Sequence, residues 1–436
     1  MTVDVDVFDP FEPAEPLRFT HPGSACRPEY DEFHAPPPGW ESTAPGTILH
    51  ARPVTVGAFG FIRQPITAWQ LLYRTTNLDQ MPDTTVVTVL VPDRVAARPD
   101  RVLSFQCAID AVSSRCFPSY ALRQGARALG SVPQFELFLI GSALERGWIV
   151  AVPDHEGMLG AFGAPREPGY RSLDGIRATL GFAELGLDPA TPVGLFGYSG
   201  GGMATSWTAE MAGSYAPELT IVGAAAGSPV GDPASAFLRL NGTLFAGIPA
   251  VVVAGLRRVS PTLDAVLCRT ATPAGTRRLA ALTEQTTVGA VLRAPRMDFD
   301  DLLTEPLADV LARPEIVELL HSLQLGRHAP TMPMFIVQSV GDQLIAVADV
   351  DDQVQRYRAA GAHVTYLRDR LSEHLSIAIF AAPLMFDWLD DRFEGRPLPD
   401  PTTRTVATVL TLRRALPGLW RFLELCVRML GGRSPR

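Results

Sequence analysis

The chain contains no lysine: all 38 of its basic residues are arginine. A Schiff-base enzyme, a lysine-dependent phosphate loop and a Ser-Lys dyad each need the lysine amine itself, so all three are excluded. The 46 acidic residues outnumber the basic ones and give a net charge of -8. Without a basic excess there is no electrostatic footprint for nucleic acid, and none is expected as a partner. Cysteine is sparse. Cys26, Cys107, Cys116, Cys268 and Cys426 form no CxxC pair and no zinc spacing, so no metal site is expected. An odd number leaves at least one thiol free, and a bridge between Cys107 and Cys116 stays open. No run of about 20 apolar residues occurs, so no helix is expected to cross a membrane.

What is present is a globular composition. Hydrophobic residues make up 47% and charged residues 19% of 436, enough to build a core and unlike a disordered chain. That length suits one large domain with insertions, or two domains. The N-terminus carries Asp4, Asp6, Asp9, Glu12 and Glu15 and has neither a positive segment nor an apolar one, so it is not a signal peptide as written.

Four regions are expected. Residues 1–45, rich in proline and acidic side chains, form an extended arm. Residues 46–229 and 326–400 alternate strand and helix. Strands are expected at 84–92, 101–108, 147–154, the "PVGLFGYS" run, 220–229, 333–342 and 363–369, with helices at 173–186, "GMATSWTAEMAGSY" and "VADVDDQVQRYRAAG". Such alternation argues a mainly parallel α/β sheet flanked by helices. Residues 230–325 break the alternation with helical segments and are expected to form a cap over the sheet's C-terminal edge, where ligands bind in such folds. Residues 401–436 end in an amphipathic segment, "LPGLWRFLELCVRMLGG", interrupted by Arg421, Glu424 and Arg428. Packing on its own domain is expected of it, with a membrane-surface or partner contact as the alternative.

The chemistry centres on Gly197-Tyr198-Ser199-Gly200-Gly201. A buried strand precedes this turn and a helix follows, the setting of a nucleophile elbow. The glycines have a physical task, since side chains two positions from the serine would collide with the neighbouring strand and helix. The new helix aims backbone N–H groups and its positive end at the space above Ser199.

A serine hydroxyl needs a base. Without lysine, that base is His, Asp or Glu, and in this topology the order is serine, acid, histidine. His374, in "LSEHLS", follows the last expected strand and fits the base. His363 opens a strand and is expected to be structural, while His321 and His328 lie in or beside the helical insertion. Asp342, at the end of "MFIVQSVGD", fits the acid, with Asp369 as the fallback. Its task is to hold the histidine tautomer and stabilise the imidazolium.

The chain resembles the secretory lipase family through "PPPGWESTAPGTIL", "QLLYRTTN", "CFPSYAL", "VPDHEG", "LDGIRA", "GYSGG", "SYAPELTIVGA" and "EHL". The resemblance implies an α/β-hydrolase with a helical cap, hydrolysis of carboxylic or lipid esters, and a triad of Ser199, Asp342 and His374. It further implies an oxyanion hole made by the Gly200 N–H and Asp110, in "FQCAID"; to donate, that carboxyl must be protonated, which an apolar site can achieve. The family's usual disulfide from the Cys116 region has no obvious partner around 280–300. The family's name implies secretion and no signal is visible, so localisation stays open between secreted and cytoplasmic.

The expectation is therefore a serine ester hydrolase, lipase or carboxylesterase, that needs no cofactor. A peptidase, amidase or acyltransferase on the same fold, and a non-catalytic binding protein of the same fold, are the rivals.

Overall fold

A computed structural model describes residues 25–93 and 100–435. The strands in chain order are β1 Ile48–Val54, β2 Gly57–Ala58, β3 Ile62–Arg63, β4 Thr67–Thr76, β5 Pro82–Val91 and β6 Val102–Gln106. They continue with β7 Ile149–Pro153, β8 Val193–Tyr198, β9 Ile221–Gly227, β10 Met334–Ser339, β11 Val364–Asp369 and β12 Thr403–Val406. Ten of them form one sheet in the order β1-β4-β5-β7-β6-β8-β9-β10-β11-β12. From β7 to β12 every pairing is parallel, whereas β1, β4 and β5 join antiparallel at one edge.

The central strands are unbroken apolar runs because both faces are covered. β6, β7, β8 and β10 are buried along their whole length. On one face, Phe105, Phe196 and Phe386 stack in series, with ring centroids 5.0 and 4.6 Å apart. Burying rings of that size stabilises the fold by about 1.5–3 kcal/mol each. The other face is covered by the helices Glu167–Leu180 and Gly200–Tyr215 and their apolar side chains, among them Leu173, Ile176 and Ala209.

Between β9 and β10 the chain leaves the sheet for seven helices, from Pro233–Leu240 to Pro314–Leu323. They share a core of their own, including Val251, Val266, Leu279, Phe299 and Ile316, which also meets Met203 and Trp207 of the helix after the turn.

Two expectations change, and one open question closes. The first 24 residues of the expected arm lie outside the described residues, and the remainder is not extended. It folds into short 3-10 turns at Pro28–Tyr30, Glu32–His34 and Trp40–Ser42. Phe33 is buried with Leu49, Leu72 and Val86, while Arg52 lies 4.0 Å over its ring and pairs with Asp31 at 2.7 Å. The segment beyond residue 400 is more than a tail, because β12 extends the sheet beside β11. The helix Ala415–Leu430 buries Gly418, Leu425 and Met429 against the body and leaves Leu416, Trp420, Leu423, Val427 and Leu430 exposed. The bridge left open is absent: Cys107 and Cys116 are both buried and unbonded, and Cys26, Cys268 and Cys426 are free as well. Among the described residues no helix is long and apolar enough to cross a membrane.

Candidate active site

The turn after β8 explains its glycines. Ser199 has φ 54° and ψ -121°, a backbone that L-residues rarely adopt. It is held there by its N–H on the Gly227 carbonyl and by the Met203 N–H on its own carbonyl, both at 2.9 Å. A methyl group on Gly197 would overlap the Gly201 carbonyl and the Thr205 hydroxyl; one on Gly201 would overlap the Gln106 carbonyl. The turn therefore presses the helix Gly200–Tyr215 against the ends of β6 and β8. The helix begins one residue after the serine, so its first N–H groups, which have no intrahelical acceptor, open beside the Ser199 hydroxyl.

The expected histidine and acid arrive at that hydroxyl. His374 Nε2 lies 2.9 Å from Ser199 Oγ, and His374 Nδ1 lies 2.7 Å from Asp342 Oδ2. His374 is the first residue of the helix His374–Phe393. Its N-cap, Glu373, accepts from the Leu375 and Ser376 N–H groups in a capping box. The Tyr198 hydroxyl donates to the His374 carbonyl and shares a 2.9 Å hydrogen bond with Ser228 Oγ, which ties the turn to the histidine.

Asp342 follows β10. Its Oδ1 accepts the Leu344 and Ile345 N–H groups at 2.8 Å, and Oδ2 takes Gln338 Nε2 at 3.2 Å besides the imidazole. Burial works to raise its pKa, but the bond and charge of His374 and the two N–H donors outweigh this and hold the carboxyl below its usual range. It is thus ionised at neutral pH and aimed at the ring.

The alternatives go elsewhere. Asp369 is fully buried at the end of β11 and accepts from Leu371, Ser372 and Val409 N–H groups, shaping the loop before His374. His363 bonds the Pro399 carbonyl at 2.8 Å, and His321 lies in the helix Pro314–Leu323. The His328 N–H donates to Glu210.

Asp110 lies against Gly200. A side chain at residue 200 would overlap its carboxyl, and Asp110 Oδ1 is buried without a hydrogen-bond partner. Burial pushes this carboxyl up to about 7, with the nearby His374 acting in the opposite direction. Around it stand Glu136, His155 and Glu156, all buried and not foreseen as site residues. The only trace of the last two in the sequence is the "VPDHEG" segment.

Among the described residues no cluster of three or more His, Cys, Asp or Glu side chains could hold a metal ion. A cleft of about 310 Å³ between the helices His374–Phe393 and Ala415–Leu430, lined by Arg146, Asp387, Asp390 and Arg421, includes none of the triad residues.

The sheet order, the strained serine turn and the Ser-His-Asp chain define an α/β-hydrolase fold. The structure of Candida antarctica lipase A is similar over 95% of this chain and 97% of that one, with a TM-score of 0.82 and 27% identity. Its closed state gives a TM-score of 0.84 and 28% identity over 95% and 98%. The secretory lipase family matches residues 122–400, and the chain belongs to that family. Relatives include a protein of Mycobacterium tuberculosis described as a probable inactive lipase, 51% identical over 93% of this chain and 92% of its own. Lipase A of Arthroderma benhamiae is 37% identical over 84% and 80%.

Proposed function

We propose that this chain hydrolyses carboxylic esters through an acyl-enzyme on Ser199. His374 takes the hydroxyl proton as the oxygen attacks the ester carbonyl, and Asp342 holds the ring and stabilises the imidazolium. The Gly200 N–H and the protonated Asp110 carboxyl bind the oxyanion. The alcohol leaves with the proton from His374, and water, deprotonated by the same imidazole, releases the acid. The helices between 233 and 323 act as the cap that selects the acyl chain, which makes a lipid ester the expected substrate class.

The observation that carries this reading is the unbroken pair of hydrogen bonds, 2.9 Å from serine to histidine and 2.7 Å from histidine to aspartate. The test is a p-nitrophenyl ester series from short to long acyl chains, run beside Ser199→Ala. Loss of about six orders of magnitude in the variant supports the mechanism; full activity in it overturns the mechanism. The chain-length optimum separates a lipase from a short-chain esterase.

The description of the Mycobacterium tuberculosis relative favours a second reading, a hydrolase fold kept for binding. A fluorophosphonate probe discriminates. Labelling of Ser199 that disappears in Ser199→Ala speaks for catalysis, and absence of labelling speaks for the binding protein.

A further inference from the structure

The segment Cys107–Asp110 leaves β6 and carries Asp110 to the serine turn. One hydrogen bond lies within it, from the Ile109 N–H to the Cys107 carbonyl at 2.9 Å. Side chains from three other parts of the chain make three more hydrogen bonds to its backbone. The Ala108 N–H donates to Glu136 Oε2 at 2.9 Å, and Glu156 is buried beside Asp110. The Cys107 carbonyl takes His155 Nε2 at 2.8 Å, and the Ile109 carbonyl accepts from the Thr287 hydroxyl at 3.0 Å.

Such a cradle answers a real difficulty. Asp110 has φ 46°, a left-handed backbone that a non-glycine residue keeps only when its surroundings over-determine it. The surroundings must also add no negative charge, because a fixed negative charge beside a forming oxyanion would oppose it. Burial meets that demand. It pushes Glu136 up to about 8 and Glu156 well above its usual range, so both carboxyls keep their protons, and Glu136 accepts through a neutral oxygen. It pushes His155 down to about 4, which leaves a neutral ring whose Nε2–H can donate to the Cys107 carbonyl. Thr287 opens the helix Thr287–Arg293 of the insertion, so the third tie links the arm to the helices above the sheet.

We propose that Glu136, His155, Glu156 and Thr287 are positioning residues that fix the Cys107–Asp110 arm beside the Ser199 hydroxyl. The proposal rests on the reading of Asp110 as an oxyanion donor. It concerns transition-state geometry, so it affects turnover and leaves ground-state binding largely alone.

The test compares Glu136→Leu and Glu156→Leu with Glu136→Gln and Glu156→Gln in the full chain. The leucine variants are expected to lose about 100-fold in kcat, with KM nearly unchanged. A trifluoromethyl ketone, whose adduct with Ser199 carries the oxyanion, is expected to bind them more weakly by a similar factor. The glutamine variants, neutral, similar in size and, at 136, able to accept the Ala108 N–H, recover most of both losses. If a leucine variant fails to fold by circular dichroism, Thr287→Val serves instead, with an expected fall of about 5-fold for one lost neutral hydrogen bond. Folded leucine variants with wild-type kcat, or glutamine variants as impaired as leucine, overturn the proposal. Asp110→Ala separates the two readings. If it is impaired and the cradle variants are not, the positioning proposal alone falls; if Asp110→Ala has wild-type kcat, both fall.

Discussion

The carboxyl of Asp110 fills the space that a side chain on Gly200 would need. Residue 200 is thus constrained to glycine by a neighbour 90 positions earlier rather than by its own backbone, which opens an ordinary helix. Gly200→Ala is expected to fold, push Asp110 away and cost about 100-fold in kcat, the effect of losing one oxyanion donor. Steady-state kinetics with a short-chain p-nitrophenyl ester, checked by the thermal midpoint, measure it. A variant with normal kcat would show that Asp110 does not act from that position.

Asp342→Asn should leave the fold intact, since the amide oxygen can still accept the Leu344 and Ile345 N–H groups. Its amide nitrogen cannot accept from His374 Nδ1, so the ring loses the tautomer that presents a free Nε2 to Ser199. The expected loss is about 10⁴-fold in kcat. Asp369→Asn, at the fallback acid, is expected to act on stability through its three N–H contacts and much less on turnover. Parallel kinetics and urea midpoints of the two variants distinguish the roles.

The proposed triad was legible in the sequence for a physical reason. The serine turn is written in five adjacent residues, and chain order in a parallel sheet limits where the acid and base can fall. The central strands were equally legible because burial on both faces leaves continuous apolar runs, as in "PVGLFGY" for β8. The edge was not. β12 is half exposed, four residues long and reads Thr-Arg-Thr-Val, with no apolar run to mark it. The side chains that hold the Cys107–Asp110 arm were invisible for another reason: Glu136, His155, Glu156 and Thr287 are scattered over 151 residues (287 less 136), and no spacing rule joins them. A buried glutamate in "QFELFL" carries no mark of what it will accept.

Activity should fall as pH rises through about 7, because that is where Asp110 ionises. Below this pH its carboxyl carries a proton to donate; above it the donor is gone and a negative charge faces the oxyanion. Asp110→Asn keeps a donor at every pH and cannot ionise. The alkaline fall in kcat expected of the parent chain should vanish in the variant. A pH profile of kcat from 5 to about 9 on a substrate with a stable leaving group tests this. An unchanged alkaline limb in Asp110→Asn would assign the fall to another group.

Stability should also decline with rising pH. Burial raises Asp110 and Asp154 to about 7 and Glu136 to about 8, from ordinary values of 3.8, 3.8 and 4.5. Between those limits the folded chain holds protons that the unfolded chain has released, so the slope of unfolding free energy against pH is negative. The contribution is fully present below about 4, where both states are protonated, and is lost as pH climbs through 7 and 8. The expected result is a urea midpoint lower at about pH 9 than at about pH 6, with the difference reduced in Glu136→Gln. Ser119, whose N–H and hydroxyl both bond Asp154, lowers that carboxyl's pKa. Ser119→Ala should therefore move the Asp154 part of the transition to higher pH, which distinguishes it from the share carried by Glu136.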